Sequence, residues 1–238
     1  MISIISYVHT CFMRSYRYGP PVFVFFMGIL FVYSVVPNPV MASYAFSTTF
    51  IFIIAAVICY TLIDIETTNQ EAVTVLHSGS LVKLYLSKLL YGWLFTIPMA
   101  IYAVLYPALF QKFDRNPSME ELGMSLIYHM VSSWLAVALT CWFSSKFIRS
   151  RVMSFLMLSV LIVITLSVQG IEHVLPEGFK SLIVLLPPLN DTINVLVNYD
   201  SQTALYKLWV TIPPIVYGAA AAGGFLFMIH RRKLDSMP

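Results

Sequence analysis

Apolar residues come in long unbroken blocks along this chain, separated by short polar interruptions. Six blocks, at 20–36, 46–63, 84–110, 122–143, 152–168 and 208–229, approach the roughly 20 residues an α-helix needs to cross a bilayer core. None alternates polar with apolar over ten residues, so helices are favoured over the strands of a transmembrane barrel. The pattern predicts an all-α polytopic membrane protein with six transmembrane helices in one domain, 1–238.

The polar intervals predict further elements. In 1–18, Ile2, Ile5, Val8 and Phe12 recur at helical spacing between Ser3, Ser6 and Thr10, which reads as an amphipathic helix lying in the membrane interface. Its basic residues follow the apolar ones and no small-residue cleavage site comes after them, unlike a secretory signal. The interval 66–80 holds a short helix over 70–77, with Ala72, Val73, Val75 and Leu76 on its apolar side. The largest interval, 169–206, contains an apolar run at 178–186 that is too short to span and is cut off by Pro187-Pro188. Re-entrant or interfacial helices suit it better than a seventh span. Within it, Asn190-Asp191-Thr192 matches a glycosylation sequon, a pattern common by chance.

Composition agrees with the block pattern. Hydrophobic residues make up 59% and charged residues 11%, with a mean hydropathy of +0.81, so the main solvent is lipid. The net charge of +3 matters less than its distribution. With six spans and an inward N-terminus, Arg14, Arg17, Lys83, Lys88, Lys146, Arg149, Arg151, Arg231, Arg232 and Lys233 fall on the cytoplasmic side. Only Lys112, Arg115, Lys180 and Lys207 fall outside. This is the positive-inside bias, and it predicts a multi-pass protein of the cell membrane with both termini in the cytoplasm.

Candidate chemistry is sparse. Cys11, Cys59 and Cys141 lie far apart and read as packing residues rather than as a disulfide framework or a metal knuckle. His129 is ionisable inside a predicted span but has no acidic residue one turn away and no zinc-protease pattern, which reads as a hydrogen-bonding histidine. Pro98 and Pro107 can bend the third span, and Pro213-Pro214 opens the last. Gly218 with Ala222, and Ala219 with Gly223, place small residues one turn apart and permit close helix contact. No Walker A loop, kinase, hydrolase-elbow or zinc-protease motif is present, so any ATP would be hydrolysed by another polypeptide.

One stretch carries a family resemblance. Glu71-Ala-Val-Thr-Val-Leu76, then His77-Ser-Gly-Ser80, then Leu86-Ser-Lys-Leu-Leu90 resembles the membrane subunits of ABC-2 type ATP-driven transporters. In that family an acidic residue opens a short coupling helix between the second and third spans. The resemblance implies a permease subunit, not itself an enzyme, that pairs with a second identical or related permease above two ABC ATPase subunits. It binds no cofactor of its own, and Mg-ATP belongs to the partner. Glu66, Glu71, Val75, Leu76 and His77 would then face the ATPase. Short external helices would cap the pathway, with Leu186, Pro187, Pro188 and Asn190 as gate candidates. Aromatic and apolar helix lining suits export of an amphipathic peptide, antibiotic or lipid-like substrate in contact with membrane lipids, and nothing suggests nucleic acid. The alternatives are an ATP-independent secondary transporter or channel, an intramembrane enzyme, and an immunity or assembly protein with no transport cycle. Beyond His129, the charged mid-membrane groups or repeated broken helices of the first are lacking. The second would need a nucleophile with its base, or several metal ligands.

Overall fold

Several helices begin where the sequence supplies a side-chain cap. A computed structural model of the chain describes residues 1–174, 176 and 185–235. The α-helices are α1 (Ile2–Ser15), α2 (Gly19–Val32), α3 (Val40–Ile63), α4 (Thr68–Ser78), α5 (Leu81–Leu109), α6 (Met119–Thr140), α7 (Arg151–Leu166), α8 (Val168–Val174), α9 (Asn190–Val197), α10 (Ala204–Trp209) and α11 (Ile212–Asp235). Thr67, Ser80, Ser118, Ser150 and Thr203 each cap a helix by accepting a backbone N–H of its first turn. At Thr67 and Ser118 the cap is reciprocal, because Gln70 and Glu121 reach back to the cap backbone.

The molecule is a polytopic all-α membrane bundle. Among the described residues, four helices are long and apolar enough to cross a bilayer: Val40–Ile63, Leu81–Leu109, Met119–Phe143 and Ala204–Arg231. A fifth is obtained if α1 and α2, which meet at 79°, count as one bent span. The bend sits at Tyr16, whose φ of 56° is left-handed, just before Pro20 and Pro21 occupy the first turn of α2. The block at 152–168 is broken at Ser167, so that α7 covers only Arg151–Leu166, 16 residues, shorter than an ordinary span, before α8 begins at Val168. The block at 46–63 starts earlier, at Val40, because Ser43 and Tyr44 are buried in the helix instead of lying in a loop. Of the apolar run at 178–186, only Leu185 and Leu186 lie among the described residues.

The two most buried spans, α3 and α6, pack on each other at the centre, with 61% and 67% of their apolar windows buried against 44% for α5 and 28% for the last. Around this pair, α5 and α11 pack on α6, α2 on α3, and α1 on α5. Pro98 and Pro107 lie inside α5 without ending it.

Tryptophans seat α11. Trp134 Nε1 donates to Ile215 O at 3.4 Å, and Trp142 Nε1 donates to Ala221 O at 3.0 Å. A Cβ added at Gly218 would lie 2.6 Å from Trp134 Nε1, and one at Gly224 would lie 3.2 Å from Trp142 Cζ2. Ala222 is buried beside Cys59, Tyr85 and Phe225, whereas Gly223 has no neighbour within 4 Å of a built Cβ. The close contact permitted by Gly218 and Ala222 is therefore made within the chain, and Gly223 faces open space.

The ends of the bundle are tied differently. At one end, Asn38 N donates to Lys112 O at 3.1 Å and Asp114 N to Asn38 O at 2.9 Å, which joins the turns after α2 and α5. The opposite end carries α4 and the buried Glu66–Lys88 pair.

Candidate functional site

The segment 64–78 has three carboxylates, and each is committed to a different neighbour. Asp64, just past α3, accepts from the backbone N–H of Ser145 at 2.7 Å and from its hydroxyl at 2.8 Å, in the turn after α6. Glu66 pairs with Lys88 Nζ of α5 at 2.9 Å, and both side chains are buried, 2% and 1% exposed. Its other oxygen accepts from Thr74 Oγ1 at 2.7 Å and from Tyr7 OH of α1 at 3.1 Å. Lys88 also donates to Ile63 O, the last turn of α3, at 3.0 Å. Glu71, in the first turn of α4, pairs with Lys146 at 2.6 Å and accepts from Tyr85 OH at 3.0 Å.

Glu66 illustrates the balance of forces. Burial alone would push its carboxyl up, but the Lys88 charge and the hydrogen bonds from Lys88, Thr74 and Tyr7 outweigh that and hold it below the usual carboxylate range. A buried pair of this kind contributes little net stability over an apolar pair, yet losing one partner is severe because a bare charge is left behind. It fixes position more than it adds strength.

With the acids turned inward, α4 presents an unusual outer face. Leu76 is 81% exposed and Val73 is 55% exposed. Val73, Leu76 and His77 stand at i, i+3 and i+4 and share one side of the helix. His77 Nδ1 donates to Val73 O at 2.9 Å. Val75 points the other way, into the cluster that contains Val8, Leu62 and Leu84. Between α1 and α4 runs an open groove of about 580 Å³ that includes Ile4, Tyr7, Val73, Thr74 and His77. The helix ends at Gly79, whose φ of 72° lets its N–H close on Val75 O at 2.8 Å.

Of the five residues the resemblance assigns to a partner, Leu76 and His77 are thus exposed, and Glu66, Glu71 and Val75 make their contacts within the chain. Val73 joins the exposed face in their place. Tyr7, Thr74, Lys88 and Lys146 complete the polar clasp. Helical phase in 70–77 could have placed Val73 with Leu76, but no local signal shows that Lys88 and Lys146 draw the carboxylates inward.

The gate candidates flank Leu189, which packs on α3. Pro187 and Leu189 are buried, while Leu186, Pro188 and Asn190 are partly so. Leu189 sits among Phe52, Ala55 and Leu135, near mid-height of α3. From there α9 runs outward, so that Val195, Leu196 and Tyr199 reach Val40, Met41 and Tyr44. Gln169 bonds Asn194, and Tyr217 OH donates to Leu185 O at 2.8 Å. Glu120 accepts from Tyr199 OH at 3.0 Å and Lys207 Nζ at 3.1 Å, which ties the segment after α9 to the start of α6.

His129 is fully buried between α3 and α6. Its Nδ1 lies 2.7 Å from Ser125 O, which requires a proton on that nitrogen, and Nε2 lies 2.8 Å from Ser47 Oγ. Both ring nitrogens are thus engaged within the bundle. Among the described residues no group of three or more His, Cys, Asp or Glu could hold a metal ion.

No family model, no curated protein and no solved structure matches this chain.

Proposed function

We propose that this chain is the membrane-spanning permease subunit of an ATP-driven exporter of ABC-2 type, with α4 as the element that receives force from a separate ATPase. The observation that carries the reading is the inverted polarity of α4: its acids are consumed inside, and Val73 and Leu76 stand out in water. An eleven-residue helix that exposes apolar side chains at helical spacing, while held rigidly from behind, has the form of a docking knob.

The clasp supplies the mechanics. A push on Leu76 would reach α5 through Glu66 and Lys88, α1 through Tyr7, and the turn after α6 through Glu71 and Lys146. Ion pairs and short hydrogen bonds transmit such a load with little give, so α1, α5 and α6 would shift together. Two six-span permease subunits and two ATPase subunits binding Mg-ATP complete the proposed assembly, which alternates access to a pathway for an amphipathic peptide, antibiotic or lipid-like molecule. The segment from Leu186 to Asn190, seated against mid-height of α3, would close the far mouth.

The test is purification of the intact chain in mild detergent and in lipid discs, with bound proteins identified and ATP hydrolysis assayed. A stoichiometric ATPase that is lost on Leu76→Glu or Val73→Glu, with α4 still protected from amide exchange, is the expected result. Absence of an ATPase under all conditions, or one that survives both substitutions, overturns the proposal.

A further inference from the structure

At the α4 end, away from the exposed face of α4, a cavity of about 280 Å³ is lined by Arg17, Tyr60, Thr61, Asp64 and Arg151. The two arginines come from segments far apart in sequence, the corner between α1 and α2 and the first residue of α7. Both positions are fixed. The corner is held by left-handed Tyr16 and by Ser15 Oγ, which accepts from Arg17 N at 3.3 Å. The start of α7 is held by Tyr60, whose OH donates to Arg151 O at 2.8 Å and whose ring packs on Phe155 with centroids 5.6 Å apart. Asp64, the one acid in the lining, is already bonded through both oxygens to Ser145. Neither guanidinium has an ion-pair or side-chain hydrogen-bond partner among the described residues.

We propose that Arg17 and Arg151 form a binding site for a phosphate group, carried either by an anionic phospholipid headgroup or by a soluble phosphate. Two exposed forked donors opposite one preoccupied carboxylate leave the cavity with surplus positive charge and N–H groups that bond no protein side chain, the chemistry that a phosphate oxygen satisfies. The flanking surfaces favour the lipid as its carrier. On α2, Phe23 and Val24 are 63% and 51% exposed, and on α7, Val152 and Leu156 are 71% and 54% exposed. Both helices start beside the cavity, α2 two residues after Arg17 and α7 at Arg151, so acyl chains of a lipid held at the arginines could follow their exposed apolar residues. Basic pockets at the ends of membrane helices commonly take headgroups in this way.

The experiment uses the full chain, purified and delipidated in detergent, with three probes: phosphatidylglycerol, phosphatidylcholine and inorganic phosphate. Retention is read by native mass spectrometry, and phosphate binding by calorimetry. Phosphatidylglycerol is expected to be preferred over phosphatidylcholine about tenfold, the scale of one to two arginine contacts at a membrane surface. Arg17→Gln with Arg151→Gln should abolish the preference, while the charge-matched pair Lys83→Gln with Arg149→Gln, outside the cavity, should keep it. The single variants, each expected to lose part of it, carry the same reading if the double variant folds poorly. Binding of inorganic phosphate that depends on the two arginines, without lipid preference, supports the site and assigns the soluble carrier. Equal retention of both lipids with no phosphate binding overturns the proposal, as does equal loss in the two double variants.

Discussion

Glu66 and Lys88 meet at 2.9 Å in the interior of the α4 end, and this contact joins the loop ahead of α4 to the third helical turn of α5. Because each charge is buried, neither can shed the other cheaply. Lys88→Met or Glu66→Gln should cost about 3–5 kcal/mol, and the double change Glu66→Met with Lys88→Met should recover much of it. Thermal unfolding in detergent, with amide exchange over 68–78 as the local readout, checks this. Singles as benign as the double would contradict it.

The same carboxyl sets a pH response. Its folded-state value lies below that of the unfolded chain, so its contribution is fully present above the unfolded carboxylate range of about 4 and is lost as pH falls through the lowered folded value. Protection of α4, corrected for intrinsic exchange, should hold at about pH 5 and fall only below about pH 4. In Glu66→Gln the acid-dependent loss specific to α4 should disappear.

Gly218 and Gly223 should part company. Alanine at Gly218 would drive a Cβ to 2.6 Å from the Trp134 indole and should cost about 1–3 kcal/mol. Alanine at Gly223 meets nothing within 4 Å and should be neutral or stabilising by up to about 1 kcal/mol through helix propensity. Paired melting curves decide the matter, and equal effects would refute the contact.

His129 should behave as a structural residue. His129→Leu removes the ring partner of Ser47 and the donor to Ser125 O and should destabilise by about 1–3 kcal/mol. Any activity in a reconstituted system should keep its pH profile, since both ring nitrogens are committed to bonds inside the bundle and leave none for proton transfer. A pH midpoint that vanishes in the variant would instead make His129 a proton carrier.

The helical nature of the chain and most of its apolar segments were legible from block length alone, as was a short helix between the second and third blocks. Its caps were written locally, in Thr67 with Gln70 and in Gly79. The direction in which α4 faces was not legible. Acidic residues on a short helix ordinarily face water, and only distant Lys88 and Lys146 reverse that. The start of the second block lies earlier than its apolar pattern suggests for a related reason: Ser43 and Tyr44 look like loop residues by polarity, but each bonds a carbonyl, Ser43 that of Pro39 and Tyr44 that of Val104, and so is buried without penalty. His129 looked isolated because its partners are hydroxyls on another helix, which no spacing rule reveals.

The two indole contacts carry a consequence for topology. Trp134 and Trp142 meet α11 in the order Ile215, then Ala221, so α6 and α11 point the same way. Parallel neighbours require the intervening chain to travel back the full height of the bundle, and α7 is the helix that leaves the α4 end. At 1.5 Å per residue its 16 residues rise about 24 Å, and α8 adds to that. If the bundle crosses a bilayer, a reporter at Ser145 and another at Ile229 lie on the same face of the membrane, although a hydropathy count that omits α7 would put them on opposite faces.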